Sequence, residues 1–288
     1  MANVATPYSA AILPLSVHAV ETEESLSQRL YFVCKRIMDV ALTALLVPLL
    51  APLMLLVAVL IKLDSPGPVF FVQERIGVKR RISAGRTTWE LYTFPFYKFR
   101  SMVNDADPTP HQQYFEKFRL GSATGDRCKP FKLTRDTRLT RVGAILRRTS
   151  LDELPQLLNV LKGEMSLVGP RPEDPSFTAR YAEEYREILR VKPGITGLCQ
   201  LAFAKEGELL DPADPVDDYV SRLLPQKVQI DLLYARSSSL WLDLRILVWT
   251  AVATILRLDV AVDRFSGQPS LRRRPNGYVV RDEERSVA

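Results

Sequence analysis

The sequence predicts an α+β, mostly helical fold with an N-terminal membrane segment, a short β-hairpin and interfacial amphipathic helices. Residues 40–61 contain no charged side chain, a length within the roughly 17–25 residues that cross a bilayer as a helix. Apolar residues alternate with polar ones around residues 69–73 and 89–102, as in strands. Helical periodicity marks the segments 141–148, 151–161, 177–189 and 240–258, and Lys162-Gly163 is expected to close the second of them.

Composition narrows the function classes without choosing one. The 288 residues are 47% hydrophobic and 25% charged, which is ordinary for a folded protein. Lys and Arg outnumber Asp and Glu by 39 to 33, a balance that suits anionic lipid surfaces, phosphate-bearing substrates or nucleic acid. Cys34, Cys128 and Cys199 are far apart, and the only histidines are His18 and His111. A disulfide framework, a zinc site and histidine chemistry are therefore not expected.

The apolar segment has two interpretations. Pro48 and Pro52 lie near its middle, where each removes a backbone donor and bends a helix. Basic residues flank both ends, whereas a spanning helix has an excess of Lys and Arg on one side only. These features favour a helix that enters the membrane, breaks and returns to the same face. Because prolines are tolerated in spanning helices, the residues alone leave a single-pass helix open.

Changes in composition along the chain predict four segments. Residues 1–30 are expected to be a disordered tail without a signal peptide, residues 31–64 the membrane helix, residues 65–262 one folded unit, and residues 263–288 a mobile tail. A basic loop from Gly77 to Arg86 is expected to join the two strands. Residues 103–131 are expected to form a polar, helix-containing insertion.

Short turns and one further helix complete the expected folded unit. Residues 169–172 read Gly-Pro-Arg-Pro and residues 193–197 read Pro-Gly-Ile-Thr-Gly, so both are predicted to be tight turns. Segment 240–258 is too short in its uncharged part to span a membrane. It carries Trp241 and Trp249, so it is either an interfacial helix or a core helix.

Two adjacent carboxylates are the main candidates for chemistry. Asp152 and Glu153 begin a predicted helix, beside Arg147. Ser150 and Glu153 have the spacing of a capping box, which needs no function. Alternatively, Asp152 is a nucleophile toward phosphorus, as aspartate is in phosphoenzyme-forming ATPases. Helix N-termini bind anions, which favours a phosphate-bearing substrate here.

Three further cations are candidate phosphate ligands. Arg171 lies between two prolines, and a rigidly held guanidinium suits bidentate phosphate recognition. Alternation places Lys98 and Arg100 on one strand face. Each of these cations is equally consistent with a solvated surface residue.

Five motifs occur together in this chain. They are Lys35-Arg-Ile-Met-Asp39, Tyr97-Lys-Phe-Arg-Ser-Met102, Ser150-Leu-Asp-Glu-Leu-Pro-Gln156, Asn159-Val-Leu-Lys-Gly-Glu-Met-Ser-Leu-Val-Gly-Pro-Arg-Pro172 and Lys192-Pro-Gly-Ile-Thr-Gly197. With the proline-containing apolar segment, they closely resemble the bacterial sugar transferase family, the monotopic polyprenyl-phosphate phosphoglycosyl transferases. The resemblance covers roughly residues 31–260.

The resemblance implies a site and a reaction. Asp152 is implied as nucleophile and Mg²⁺ ligand, Glu153 as its dyad partner, and Arg147 and Arg171 as phosphate-binding cations; Lys98 and Arg100 match basic positions of less defined role. A re-entrant helix would break at Ala51-Pro52. A UDP-sugar donor would give a phosphosugar-enzyme and UMP, and polyprenyl (undecaprenyl) phosphate would accept the sugar-phosphate in a ping-pong reaction.

The same resemblance implies a place in the cell and a size class. The catalytic domain would lie on the cytoplasmic face of the bacterial inner membrane and carry out the first membrane step of exopolysaccharide or glycan assembly. Larger members add an upstream multi-span bundle, so this chain is expected to be a minimal form. A homo-oligomer is allowed but not specified by the sequence.

Departures and alternatives limit what the resemblance implies. Many members carry Trp-Gln-Val-x-Gly-Arg after the position of Gly197, whereas residues 198–207 read Leu-Cys-Gln-Leu-Ala-Phe-Ala-Lys-Glu-Gly, which leaves the donor sugar open. An inactive membrane-anchored assembly protein would not need Asp152 and Glu153. A Mg²⁺-dependent phosphodiesterase would use water as acceptor. A nucleic-acid-binding protein would not need the apolar segment, so no nucleic-acid partner is expected.

Overall fold

The computed structural model describes residues 20–22, 24–83, 86–104, 138–175, 185–204, 209, 218–263 and 265–271. Helices predominate within these residues, which confirms the mostly helical fold. The helices are α1 (Leu26–Asp64), α2 (Arg141–Thr149), α3 (Gln156–Lys162), α4 (Tyr185–Ile188), α5 (Leu198–Ala202), α6 (Leu224–Ser237) and α7 (Leu240–Leu256), with a 3-10 helix at Leu151–Glu153 and a π-helix at Tyr219–Leu223.

Seven short or medium strands form three small sheets in the described part of the chain. Strands β1 (Val20–Thr22), β2 (Phe70–Ser83) and β3 (Arg86–Phe99) form one antiparallel sheet in the order β1-β3-β2. Strands β4 (Ser166–Val168) and β5 (Gly194–Thr196) pair in parallel, and β6 (Val260–Val262) pairs antiparallel with β7 (Pro269–Leu271). The predicted turn at residues 193–197 was therefore wrong, because its centre is β5.

The predicted hairpin is confirmed, but its first strand is longer than expected. β2 and β3 stay in register from the pair Phe70–Phe99 to the pair Ser83–Arg86. The basic loop predicted from Gly77 to Arg86 was wrong, because most of that segment is strand. Its basic residues obscured the buried Val78, and a Cβ on Gly77 would lie 2.8 Å from the Phe94 ring, so a glycine is needed for the strand to pass that ring.

Each of the two predicted tails includes residues that the structure places in a helix or strand, so both predicted boundaries were wrong. β1 pairs with β3, and α1 begins at Leu26, where Ser25 and Gln28 form a capping box. At the other end, β7 extends the ordered chain to Leu271. Residues 1–19, 272–288 and most of the predicted insertion at 103–131 lie outside the described residues, as does the first part of the helix predicted at 177–189.

Helix α1 is continuous across both prolines. Pro48 and Pro52 lie inside its 39 residues, so the break expected at Ala51-Pro52 is not an interruption of helical structure. Proline removes one hydrogen bond and bends a helix without necessarily ending it. Among the described residues, α1 is the one helix that is long and apolar enough to cross a membrane.

The N-terminal half of α1 is bound to the folded unit by buried polar groups. Asp243 of α7 is fully buried and accepts from Lys35 Nζ at 2.8 Å, from Tyr31 Oη at 3.1 Å and from Tyr234 Oη at 2.7 Å. Asp39 accepts from the backbone N–H of Leu167 at 3.0 Å. Removing one partner from such a buried ion pair would leave an uncompensated charge, so these contacts fix where α1 lies.

The C-terminal half of α1 is bound to the same unit by apolar packing. Val57 and Ile61 pack with Phe99 and Leu146 in one buried cluster. Asp64, the last helical residue, accepts from the backbone N–H of Val142 at 2.9 Å. The two ends of α1 therefore contact the same folded unit.

The main core lies between the hairpin, α3, the β4–β5 pair and helices α5 to α7. Helix α7 has one buried and one exposed apolar face. Leu242 and Ile246 are buried in the core, whereas Trp241, Val248 and Ile255 are exposed. The inner face is thus a core face, and contact of the outer face with a membrane interface stays a prediction.

Candidate active site

Asp152 and Glu153 lie in the 3-10 helix that follows α2. Ser150 links the two helices in a left-handed conformation, with φ 57°, and its side chain caps neither. The capping box predicted from Ser150 and Glu153 was therefore wrong. The predicted helix at 151–161 is instead a 3-10 turn followed by α3, which ends at Gly163 as expected.

Glu153 joins three parts of the chain through two ion pairs. Lys98 Nζ of β3 donates to Glu153 Oε1 at 3.1 Å. Arg171 donates to the same oxygen from Nη2 at 2.5 Å and to Oε2 from Nη1 at 3.3 Å. Burial alone would raise the pKa of Glu153, but Arg171 and Lys98 lower it to about 2. Glu153 is thus a permanent anion that holds two cations side by side.

The turn that carries Arg171 is fixed by backbone pairing. The N–H of Gly194 donates to the carbonyl of Pro170 at 2.7 Å, and the N–H of Gly169 donates to the carbonyl of Thr196 at 2.8 Å. A Cβ on Gly194 would lie 2.1 Å from the Gly169 nitrogen. Glycine is therefore required for β5 to approach the turn this closely.

Asn159 fixes the strand that carries Lys98, and sequence reasoning gave it no role. Its side chain is fully buried, accepts from the N–H of Tyr97 at 3.3 Å and donates to the carbonyl of Pro95 at 2.7 Å. Its place within the apolar run Leu157-Leu-Asn-Val-Leu161 was the available sign.

Asp152 differs from its neighbour in having no direct partner. Its residue is only 7% exposed, yet no hydrogen bond reaches its carboxylate from the described residues. Burial raises the pKa of Asp152, and the charges of Lys98, Arg147 and Arg171 oppose that effect. Because these cations lie near Asp152 without a hydrogen bond to it, no side chain in the described part of the chain occupies its carboxylate oxygens, which suits the engagement of a ligand.

The four predicted cations fall into two groups. Arg147 donates from Nε to Ser101 Oγ at 2.9 Å and is near enough to lower the pKa of Asp152, so it joins Lys98 and Arg171 at the site. Arg100 is buried and donates from Nη2 to the carbonyl of Ser65 at 2.7 Å. Arg100 therefore fastens the turn after α1 and does not reach the two carboxylates.

The donor set fits Mg²⁺ only with a substrate present. No cluster of three or more acidic, cysteine or histidine ligands occurs in the described ranges. Mg²⁺ commonly uses one or two carboxylates, with phosphate oxygens and water completing its shell. Asp152 offers one unbonded carboxylate, whereas Glu153 is engaged by two cations. Asp152 is thus the protein ligand that the arrangement provides.

The chain is similar to known sugar-phosphate transferases over most of its length. Residues 30–257 match the family model described as bacterial sugar transferase. A UDP-N-acetylgalactosamine-undecaprenyl-phosphate N-acetylgalactosaminephosphotransferase of Aeromonas hydrophila is 37% identical over 83% of this chain and 48% of its own length. A UDP-glucose:undecaprenyl-phosphate glucose-1-phosphate transferase of Xanthomonas campestris pv. campestris is 41% identical over 78% of this chain and 39% of its own length.

Relatives of both longer and comparable length are found. The chain spans less than half the length of the two transferases above. The exopolysaccharide production protein PSS of Rhizobium leguminosarum bv. phaseoli is 39% identical over 78% of this chain and 96% of its own length.

The two acids are expected to affect stability in opposite directions. Asp152→Asn removes a buried charge without a hydrogen-bond partner, so the free energy of unfolding should stay equal or rise. Glu153→Gln leaves Lys98 and Arg171 without their bonded counter-charge and should lower the free energy of unfolding by about 1 kcal/mol, less than charge-assisted bonds usually contribute, because Arg171 is exposed. Chemical unfolding at pH 7 in one detergent measures both.

Acidification provides the control for this comparison. Because the pKa of Glu153 is lowered, the stabilisation of the folded state by its ion pairs is complete above pH 4.5 and is lost as the pH falls toward about 2. The difference between wild type and Glu153→Gln should shrink over that range. Equal destabilisation by the two variants would instead show that both acids only stabilise the helix start.

Proposed function

The chain belongs to the bacterial sugar transferase family, and on that premise we propose that it transfers a sugar-1-phosphate from a UDP-sugar to polyprenyl phosphate. The products are a polyprenyl-diphosphate-sugar and UMP. The printed names of the relatives, which specify undecaprenyl phosphate as acceptor, support this reaction class. Glucose and N-acetylgalactosamine both occur among their donors, so the donor sugar is left to experiment.

One observation carries the proposal: the contrast between the two adjacent carboxylates. Glu153 is held by two cations, whereas Asp152 is buried, lies within their field and accepts no hydrogen bond from the residues that the structure describes. An arrangement that neutralises one carboxylate and leaves the other free suits an anionic nucleophile that must approach an anionic diphosphate.

The residues divide the proposed reaction between them. An Asp152 carboxylate oxygen attacks the β-phosphorus and forms an acyl-phosphate bond, while the bond from the β-phosphorus to the bridging oxygen breaks and UMP leaves with that oxygen. A phosphate oxygen of the lipid then attacks the same phosphorus, and the Asp152 carboxylate leaves. Lys98, Arg147 and Arg171 orient and neutralise the phosphates. Glu153 positions two of these cations.

Mg²⁺ would be held by Asp152 together with the donor diphosphate. Bound there, it would reduce the repulsion between carboxylate and diphosphate and stabilise the charge on departing UMP. It would also favour the ionised form of Asp152, since opposite charge lowers a carboxyl pKa.

We further propose that α1 re-enters the membrane and returns to the cytoplasmic face. Both of its ends contact one folded unit, through Asp39 on one side and Asp64 on the other. A helix that crosses a hydrocarbon core of about 30 Å places its ends on opposite sides, where one unit could not bind both. Most of the apolar surface of α1 is exposed, as expected for a segment lying in lipid.

Replacement of the nucleophile tests the reaction. With undecaprenyl phosphate, Mg²⁺ and a panel of UDP-sugars, wild type should release UMP continuously and form lipid-linked sugar. Asp152→Asn should fold normally and lose turnover by several orders of magnitude, because an amide cannot form the acyl-phosphate. Glu90→Gln, which removes an exposed carboxylate paired with Arg81, is the matched control and should retain wild-type turnover.

The acceptor distinguishes this reaction from a phosphodiesterase. If water were the acceptor, UMP release would continue without lipid. Near wild-type turnover by Asp152→Asn, or lipid-independent turnover by wild type, would contradict the proposal.

Cysteine labelling tests the topology. In a variant with Cys34, Cys128 and Cys199 replaced by serine, Ser27→Cys and Arg81→Cys should both resist a membrane-impermeant reagent applied from the periplasm. The cysteine-free variant should stay active, because no cysteine has a catalytic role here. Replacing Pro48 and Pro52 with leucine should let α1 straighten and expose position 27. Periplasmic labelling of Ser27→Cys without these leucines would show a spanning helix.

A further inference from the structure

Phe71 lies on the hairpin directly opposite Lys98. The register pairs these two residues across β2 and β3, and opposite residues in an antiparallel pair carry their side chains on the same face. The Lys98 side chain on that face reaches Glu153. Phe71 is nevertheless 52% exposed. An exposed aromatic ring therefore borders the cations of the active site.

The next two β2 residues on this face bond to the active-site turn and the residues just after it. Gln73 Nε2 donates to Asp174 Oδ2 at 3.1 Å, and Arg75 Nη1 donates to the carbonyl of Pro172 at 3.5 Å. Phe71 continues the same row of alternate residues toward the end of the strand nearest α1. Along this face of β2, residues that bond to the turn are thus preceded by one exposed apolar residue, Phe71.

The surroundings of Phe71 form an apolar edge, defined here as Phe70, Phe71 and Val72. All three side chains are exposed, and the strand order leaves β2 at the edge of its sheet. Exposed apolar edge strands are normally covered or charged. Just before this edge in the chain, the last turns of α1 expose Leu60 and Leu63. Exposed apolar side chains thus occur both at the end of α1 and at the start of β2, on either side of the turn that joins them.

We propose that Phe71 is the seat for the first isoprene units of the acceptor, with the lipid phosphate held at Lys98; this rests on the proposed function. A polyprenyl phosphate carries an anionic head directly on an apolar chain, so its site needs a cation next to an apolar contact. Paired positions in an antiparallel ladder are about 5 Å apart at Cα, which suits that requirement. Phe71 is the member of this apolar edge on the Lys98 face, and it lies at the end of β2 that directly follows α1 in the chain, where a lipid chain coming from the membrane would arrive.

Separate kinetics for the two substrates test the seat. Phe71→Ala should raise the KM for undecaprenyl phosphate about tenfold, a change within what partial burial of a phenylalanine ring contributes. The KM for the UDP-sugar and the single-turnover release of UMP without lipid should not change. Ile82→Ala is the matched control, because Ile82 is exposed on the same strand at its far end; it should change neither KM.

Each of three other outcomes would contradict the proposed role of Phe71 in binding the acceptor. Slower single-turnover UMP release by Phe71→Ala would assign the ring to the donor. Loss of co-sedimentation with phosphatidylglycerol vesicles, with both KM values unchanged in detergent, would make it a membrane-insertion residue only. An unchanged KM for the lipid with normal vesicle binding would leave the ring without the proposed role.

A binding experiment separates this inference from the proposed function. A polyprenyl phosphate with a photoreactive group in its second isoprene unit should cross-link to the peptide that contains Phe71, whether or not turnover occurs. Cross-linking there by a protein that shows no transfer would refute the reaction and support the seat. Cross-linking confined to other peptides by an active enzyme would refute the seat alone.

Discussion

The double ion pair of Glu153 is the interaction on which the arrangement of the site depends. It joins the hairpin, the 3-10 helix and the Gly-Pro-Arg-Pro turn through Lys98 and Arg171. Two cations held close together repel each other, and the carboxylate between them removes that repulsion. Because Lys98 and Arg171 bond to Glu153, they leave Asp152 in a cationic field without a hydrogen bond from either of them. The proposed chemistry therefore follows from an asymmetry between two adjacent acids.

Helix α1 and the candidate active site are connected through α2. Lys35 and Asp243 bind the first half of α1 to α7, and Asp64 binds its end to the start of α2. Helix α2 carries Arg147 and leads directly into the 3-10 helix with Asp152. If α1 lies in lipid as proposed, the contact of Asp64 with the start of α2 places the nucleophile one short helix away from the end of the membrane segment. A lipid-linked acceptor phosphate would then meet Asp152 near the membrane surface.

Sequence patterns predicted those features of the fold that depend on interactions between residues close together in the chain. The bounds of α2 and the end of α3 at Gly163 followed from periodicity and the glycine cap, and the pairing of the hairpin strands from alternation. The capping box at Ser150 failed because tertiary ion pairs took the Glu153 side chain, and no local pattern specifies a positive φ at a serine. Alternation predicted that Arg100 shares a strand face with Lys98, but β3 ends at Phe99 and the Arg100 guanidinium bonds to the turn after α1, which is distant in sequence.

Formation of a covalent bond at Asp152 is the most direct measure of the central claim. Wild-type enzyme incubated with Mg²⁺ and its UDP-sugar, without lipid acceptor, should release at most one equivalent of UMP and gain the mass of one phosphosugar. Peptide mass spectrometry should place that mass on the Asp152-containing peptide, and added polyprenyl phosphate should remove it. An adduct on another residue, or lipid-dependent transfer by an enzyme that never gains the mass, would contradict the account.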